Sequence, residues 1–156
     1  MPASGKSTVG VILAKILGMD FIDTDIVIQQ REGSRLDEII EKHGVEGFLE
    51  KEERALLSIN ASHTVIATGG SAVYSKPGME YLSEGSRTVY LKVELDDLKK
   101  RLKDIKQRGV VLRTGESLES MYEIRRQLYE RYADITITEE DGSIEDTVRV
   151  VLEAIE

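Results

Sequence analysis

Short β-branched runs alternating with segments of helical periodicity predict an α/β protein, with a parallel sheet flanked by helices on both faces. Three observations predict it. The runs at 64–67, 88–93 and 135–138 are four to six residues long and rich in Val, Ile and Thr. The segments between them carry apolar residues three and four apart. Glycines and carboxylates stand where strands stop, at 23–25 and 69–70, and ligands bind beyond the carboxyl ends of such strands.

The elements follow in order. Val9, Ile12, Leu13, Ile16 and Leu17 give an opening helix that Gly18 stops. Phe21 and Ile22 lead into a short strand ending in Asp23-Thr24-Asp25, with the two carboxylates alternating across it. Ser34, three residues before Asp37, resembles an N-cap for a helix reaching about Lys42 and ended by Gly44. Val45, Phe48, Leu49, Leu56 and Ile59 form the next amphipathic helix. The strand at 64–67 stops at Gly69-Gly70. After the strand at 88–93, Leu95, Leu98, Leu102 and Ile105 mark a helix with a charged outer face. A loop from Arg108 to Gly115 precedes a helix along Leu118, Met121, Tyr122, Leu128 and Tyr129. Ser143 and Asp146 open a closing helix through Val148, Val151, Leu152 and Ile155. Tyr122, Tyr129 and Tyr132 read as packing residues, and His43 and His63 have no ligand spacing.

With 156 residues, 40% apolar and 32% charged, the chain reads as one domain over 1–156. It contains no apolar stretch of bilayer length. The absence of cysteine excludes disulfides, thiolate metal sites and a cysteine nucleophile, and fits a reducing compartment. The chain opens without a signal-peptide pattern, so the expected location is cytoplasmic. A net charge of −8 argues against nucleic-acid or anionic-membrane partners. From Lys99 to Arg131, however, ten basic residues face five acidic ones, a basic island suited to an anionic ligand or to a solvated helix face.

Ser4-Gly5-Lys6-Ser7-Thr8 opens the first helix and forms the back half of a phosphate-binding P-loop. In such loops backbone N–H groups and the positive helix end meet phosphates, the lysine reaches the β/γ oxygens, and the hydroxyl ligates magnesium. The full motif needs a glycine five positions before Gly5 and a feeding strand, so residues are expected to precede Met1 in the native protein. Asp23 and Asp25 suit a division between the magnesium shell and an acceptor hydroxyl. Thr68-Gly69-Gly70-Ser71 offers backbone that a ligand can approach closely.

These pieces together resemble the shikimate kinase family along nearly the whole chain. The carriers are SGKSTVG, FIDTD, GVEGFLEKEE, VIATGGSAV, VYLKV, Arg108 in its loop and RRQLYERYAD. The resemblance implies a three-layer P-loop kinase fold with a five-stranded parallel sheet, substrate-binding helices at about 24–60 and a lid at about 106–116. It implies ATP- and Mg2+-dependent phosphorylation of a shikimate hydroxyl in aromatic amino-acid biosynthesis, by a monomer. Lys6, Asp25 and Arg108 would be catalytic. Ala3, Ser4, Gly5, Lys6, Ser7, Thr8 and Arg108 would bind the nucleotide, and Ser7 and Asp23 the metal. Asp25, Gly69, Gly70, Ser71 and Arg125 would bind shikimate, with Arg125 on its carboxylate.

Three positions depart from the family's pattern. Phe48 is followed by Leu49 where an arginine usually pairs with the substrate carboxylate. The glycine run ends in Ser71, and Arg108 is followed by Gly109-Val110-Val111 rather than by Pro-Leu. Losing a buried arginine–carboxylate contact costs a few kcal/mol, on the order of a hundredfold in affinity. Lys51 or Arg54 could substitute, and Leu49→Arg would tighten acceptor binding if Leu49 occupies the carboxylate position. Two alternatives stay open: a kinase for another small hydroxylated acceptor, and a nucleotide-binding domain that no longer transfers phosphate.

Overall fold

The computed structural model of the chain describes residues 1–103, 110–138 and 143–155. Twelve residues opening with Lys6 form α1 (Lys6–Leu17), stopped by Gly18 in the left-handed region. β1 (Asp20–Asp23) follows, and Asp23 at its end is also the N-cap of α2 (Thr24–Glu32). Here the structure corrects the sequence reading. Asp25 is a first-turn helical residue, because the Asp23 side chain accepts the Asp25 N–H at 2.9 Å and bends the chain out of the strand.

α3 (Leu36–Leu57) spans both helices expected on either side of Gly44. Gly44 (φ 69°, ψ 177°) leaves helical geometry and divides the segment into two helical stretches, as the sequence predicts. Its N-cap is Arg35 rather than Ser34, with Glu38 accepting from the Arg35 N–H. β2 (Thr64–Ala67) leads to a 3-10 turn (Ala72–Tyr74) and α4 (Lys76–Ser83), two elements that the periodicity of the sequence does not reveal. β3 (Val89–Lys92), α5 (Leu95–Lys103), α6 (Leu118–Tyr132), β4 (Ile135–Thr138) and α7 (Ile144–Ile155) complete the order. The Ser143–Asp146 cap of α7 forms as expected, each residue bonding the other's backbone N–H.

All strand pairing among the described residues is parallel. β1 pairs with β2, placing Asp23 opposite Ala67, and β3 pairs with β4, placing Lys92 opposite Thr138. The described residues thus hold four strands in two pairs, where the resemblance implies a single five-stranded sheet. Helices cover both faces. On one, Val9 and Leu13 of α1 and Val148 and Val151 of α7 pack on Leu91 and Ile137. On the other, Leu56, Met79, Leu98, Tyr122 and Tyr129 pack around Tyr90 and Met1. Tyr90 and Leu91, adjacent on β3, point to opposite layers as strand geometry requires. Met1 is 1% exposed and, with Thr68, Thr88 and residues 89–91 of β3, borders a void of about 50 Å³. A third apolar cluster, Ile28, Ile39, Phe48, Ala55 and Val111, binds α2 and α3 into a lobe beside the sheet. No helix of the described residues is long and apolar enough to cross a membrane.

Candidate active site

A cleft of about 350 Å³ opens above the carboxyl ends of β1 and β2. One wall is the chain's opening turn, Pro2 to Thr8; the other is built from α2, the start of α3, residues 68–71 and Arg125. Lys6 and Asp25 therefore share a single cavity.

The phosphate side follows from backbone geometry. Ala3 (φ 54°) and Gly5 (φ 71°) both adopt the left-handed region, which coils the turn tightly into α1. Gly5 caps α1 without a side chain, so its first-turn N–H groups are left for an incoming anion. Ser4 is fully buried and donates to the Met1 carbonyl at 3.0 Å. Lys6 Nζ donates to the same carbonyl and contacts Ser4 Oγ at 3.3 Å, so its ammonium is held against the turn. Ser7 and Thr8 are exposed on the cleft. Arg101 of α5 donates to the Ala3 carbonyl at 3.2 Å, a second cation at this turn that no sequence motif marks. Arg108 and residues 106–109 of the expected lid lie outside the described residues.

The acceptor side is built by cross-links between elements. Thr24 Oγ1 accepts the Gly69 N–H at 2.9 Å, and the Tyr129 phenol donates to the Gly70 carbonyl. Gly69 has no room for a side chain: an added β-carbon would lie 2.6 Å from both Asp25 Oδ1 and Glu52 Oε1. Burial, then the Asp23 charge, raises the Asp25 carboxyl above its usual range, and Lys6 partly opposes this. Asp23 itself is not among the described residues lining the cleft, because its carboxylate caps α2. Among the described residues no three His, Asp or Glu side chains cluster as a metal site.

Arg125 is 1% exposed and projects into the cleft wall. Its guanidinium donates to the Val111 carbonyl and the Tyr74 hydroxyl, and lies 5.1 Å from the Tyr74 ring centre. Four other basic residues of the island form surface ion pairs. Lys99 pairs with Glu119, Lys100 with Asp97, Arg113 with Glu46, and Arg126 with Glu123 and Glu130.

Leu49 packs against the Ile28–Phe48 cluster and does not line the cleft. The sequence leaves Leu49 open between a carboxylate-binding position and the apolar stripe it shares with Val45 and Phe48; the structure places it, partly buried, against the core of the α2–α3 lobe. Lys51 is no substitute, since it is bound to Glu32 at 2.5 Å. Ser71 lines the cleft, but its hydroxyl donates to Glu52 Oε2 at 2.6 Å. Glu52 is the residue that the sequence reading misses. Its signal was present: a glutamate at 52 falls on the apolar face shared by Phe48, Ala55 and Leu56.

Comparison with known proteins places the fold and the family. The family model described as shikimate kinase matches residues 2–156. A shikimate kinase of Actinobacillus pleuropneumoniae serotype 5b is 35% identical over 98% of this chain and 90% of its own length. One from Psychrobacter is 36% identical, covering 97% of this chain and 86% of the relative. Among solved structures, the Acinetobacter baumannii shikimate kinase in complex with shikimate superposes with a TM-score of 0.87 at 31% identity, covering 97% of this chain and 87% of that one. The Aquifex aeolicus shikimate kinase gives 0.85 at 29% identity, covering 99% and 92%. With the family model spanning residues 2–156 and these relatives at least 35% identical over 97–98% of this chain, the chain belongs to the shikimate kinase family.

Proposed function

We propose that this protein transfers the γ-phosphoryl group of ATP to a hydroxyl of shikimate. The observation that carries the reading is the shared cleft, with Lys6 and the open N-terminus of α1 on one wall and Asp25 on the other. The triphosphate lies along the Ala3–Thr8 turn, where Lys6 and the first-turn N–H groups of α1 neutralise it. The acceptor hydroxyl sits at Asp25, between the backbone of Gly69 and Gly70, and its carboxylate meets Arg125. The acceptor oxygen bonds to the γ-phosphorus as the bond to the β–γ bridging oxygen breaks, and the hydroxyl proton passes to Asp25. The raised proton affinity of Asp25 suits that role.

Mg2+ fits this donor set. The Ser7 hydroxyl faces the cleft and Asp25 stands across it, and magnesium needs few protein ligands when phosphates and water supply the rest. When bound, the ion would neutralise charge building on the β and γ oxygens. Ser7 would hold it, while Asp23, whose carboxylate caps α2 outside the cleft lining, would take no part.

Leucine at position 49, where the family usually has an arginine, favours a second reading, transfer to a different small hydroxy acid. Release of ADP is to be measured with shikimate, quinate and simple sugar acids in parallel. Shikimate-dependent turnover is expected. Turnover only with another acceptor would establish the second reading, and tight ATP binding without any turnover would remove both.

A further inference from the structure

Arg125 brings a charge into the wall of the cleft, and its hydrogen-bond partners there are neutral. Nε donates to the Tyr74 hydroxyl at 3.2 Å and Nη2 to the Val111 carbonyl. The third nitrogen, Nη1, lies 3.2 Å from the point a Gly70 β-carbon would occupy, beside the backbone assigned to the acceptor. Among the described residues no carboxylate forms an ion pair with this guanidinium; Glu52 acts on it from a distance while its own Oε2 is held by Ser71. A buried cation with neutral partners is costly until an anion arrives to pair with it. Its direction matters as much as its charge, because a guanidinium binds a carboxylate through a planar edge of fixed geometry.

Tyr74 sets that direction. It ends the 3-10 turn that follows the acceptor-side backbone of residues 69–71, whereas Arg125 stands on α6. Arg125 and Tyr129, one turn apart on α6, both grip this stretch: the Tyr129 phenol donates to the Gly70 carbonyl, and Arg125 reaches the Tyr74 hydroxyl. The Tyr74 ring adds a second hold, since the Arg125 guanidinium carbon lies 5.1 Å from its centre. The ring is itself held. The Arg113 guanidinium also lies 5.1 Å from that centre, and its Nε donates to Glu46 Oε1 of α3 at 3.1 Å. Glu46 offsets the charge of Arg113, which eases the approach of two cations to one ring.

We propose that Tyr74 is a positioning residue for acceptor binding: its hydroxyl and ring hold the Arg125 guanidinium with Nη1 towards Gly70, where the acceptor carboxylate lies. The proposal rests on the reading of Arg125 as the carboxylate ligand and adds the residue that aims it. Tyr74 is half-buried, and among the described residues its hydroxyl bonds to Arg125 alone, so a phenylalanine would fill the same space and lack only that bond. The consequence is selectivity. A ligand carrying a carboxylate is preferred over the same ligand with that charge removed.

The test is the preference for a carboxylate, read by titration calorimetry as the Kd for shikimate methyl ester divided by the Kd for shikimate. The native protein should favour the acid. Tyr74→Phe keeps the ring and removes the oxygen, so the Nε–H of Arg125 loses its acceptor. The ratio should then fall on the order of tenfold, through weaker binding of the acid. Tyr74→Leu removes ring and hydroxyl together and should lower the ratio further. Tyr81→Phe, which deletes a phenol bonded to the Ile59 carbonyl from α4, should leave it unchanged. A merely structural role would weaken acid and ester alike, so a Tyr74→Phe ratio equal to the native one overturns the proposal even where both affinities drop. A native protein that binds the acid no better than the ester removes Arg125 as the carboxylate ligand, and Tyr74 with it. Binding of neither compound removes the shikimate reading and the proposal together.

Discussion

The Gly69 N–H donates to Thr24 Oγ1 at 2.9 Å, joining the backbone just past β2 to the first residue of α2, 45 positions away. Thr24 is fully buried and Gly69 nearly so, which makes this bond a fixed strut between the two halves of the acceptor side. Thr24→Val preserves shape but strands a buried N–H, a loss of about 1–3 kcal/mol. Urea denaturation should show that loss, and the acceptor KM should rise more than the ATP KM. Thr24→Ser, which restores the oxygen, should recover most of both. Equal KM effects on the two substrates would mean that the strut supports the whole fold rather than the acceptor side.

Gly69 makes a sharper demand. A β-carbon there meets Asp25 and Glu52 oxygens at 2.6 Å, whereas at Gly70 the nearest atoms are Arg125 Nη1 and the Pro2 nitrogen at 3.2 Å. Gly69→Ala should displace both carboxyls and depress kcat far more than Gly70→Ala, which asks its neighbours to give by a few tenths of an ångström. Steady-state kinetics on both variants checks the order; a Gly70→Ala defect equal to or larger than that of Gly69→Ala would refute it.

Much of this architecture is legible in the sequence because it is local. The Lys6–Leu17 helix, its Gly18 stop, the three β-branched strands and the Ser143–Asp146 cap each rest on residues within a few positions of one another. What was not legible is made by contacts across the chain. The turn from β1 into α2 depends on Asp23 spending its carboxylate on Asp25 N–H, which alternation along a strand does not suggest. Leu49 could be placed against a ligand or in the core from its spacing alone, and only the docking of α2 on α3 decides it. Glu52 needed Ser71 and Gly69, both more than fifteen positions away, to be placed beside the cleft. The two strand pairs were likewise beyond reach, since pairing partners are not encoded in the periodicity of either strand.

Leu49→Arg is the direct test of that placement. The partly buried side chain packs against the Ile28, Ile39 and Phe48 cluster, so an arginine gives up that apolar packing to carry its guanidinium to water. A loss of roughly 1–3 kcal/mol in stability is expected by chemical denaturation. Calorimetric titration with the acceptor should show no tightening; tighter binding would place residue 49 at the carboxylate after all.

Asp25→Asn separates transfer from binding. The amide keeps the shape of the side chain but cannot accept the hydroxyl proton, so kcat should fall on the order of 10²- to 10⁴-fold. ATP affinity, set mainly by the Ala3–Thr8 turn across the cleft, should change little by equilibrium titration. A comparable loss in both would mean that Asp25 acts through the nucleotide instead.

The raised Glu52 carboxyl also fixes how stability depends on pH. An acid whose proton is held more tightly in the folded state contributes no penalty below the unfolded value of 4.5, where both states are protonated. As pH rises from 4.5 towards the folded value of about 7, the unfolded chain ionises freely while the folded chain resists, and stability falls. The whole effect is of order 3 kcal/mol for a group this deeply buried, complete above pH 7. Replacing Glu52 by Gln removes the slope. Urea midpoints measured from pH 5 to pH 8 should therefore show the variant gaining on the native protein as pH increases. Parallel curves across that range would mean that Glu52 is already ionised in the folded protein at pH 5, contrary to its burial and to its lone Ser71 hydrogen bond.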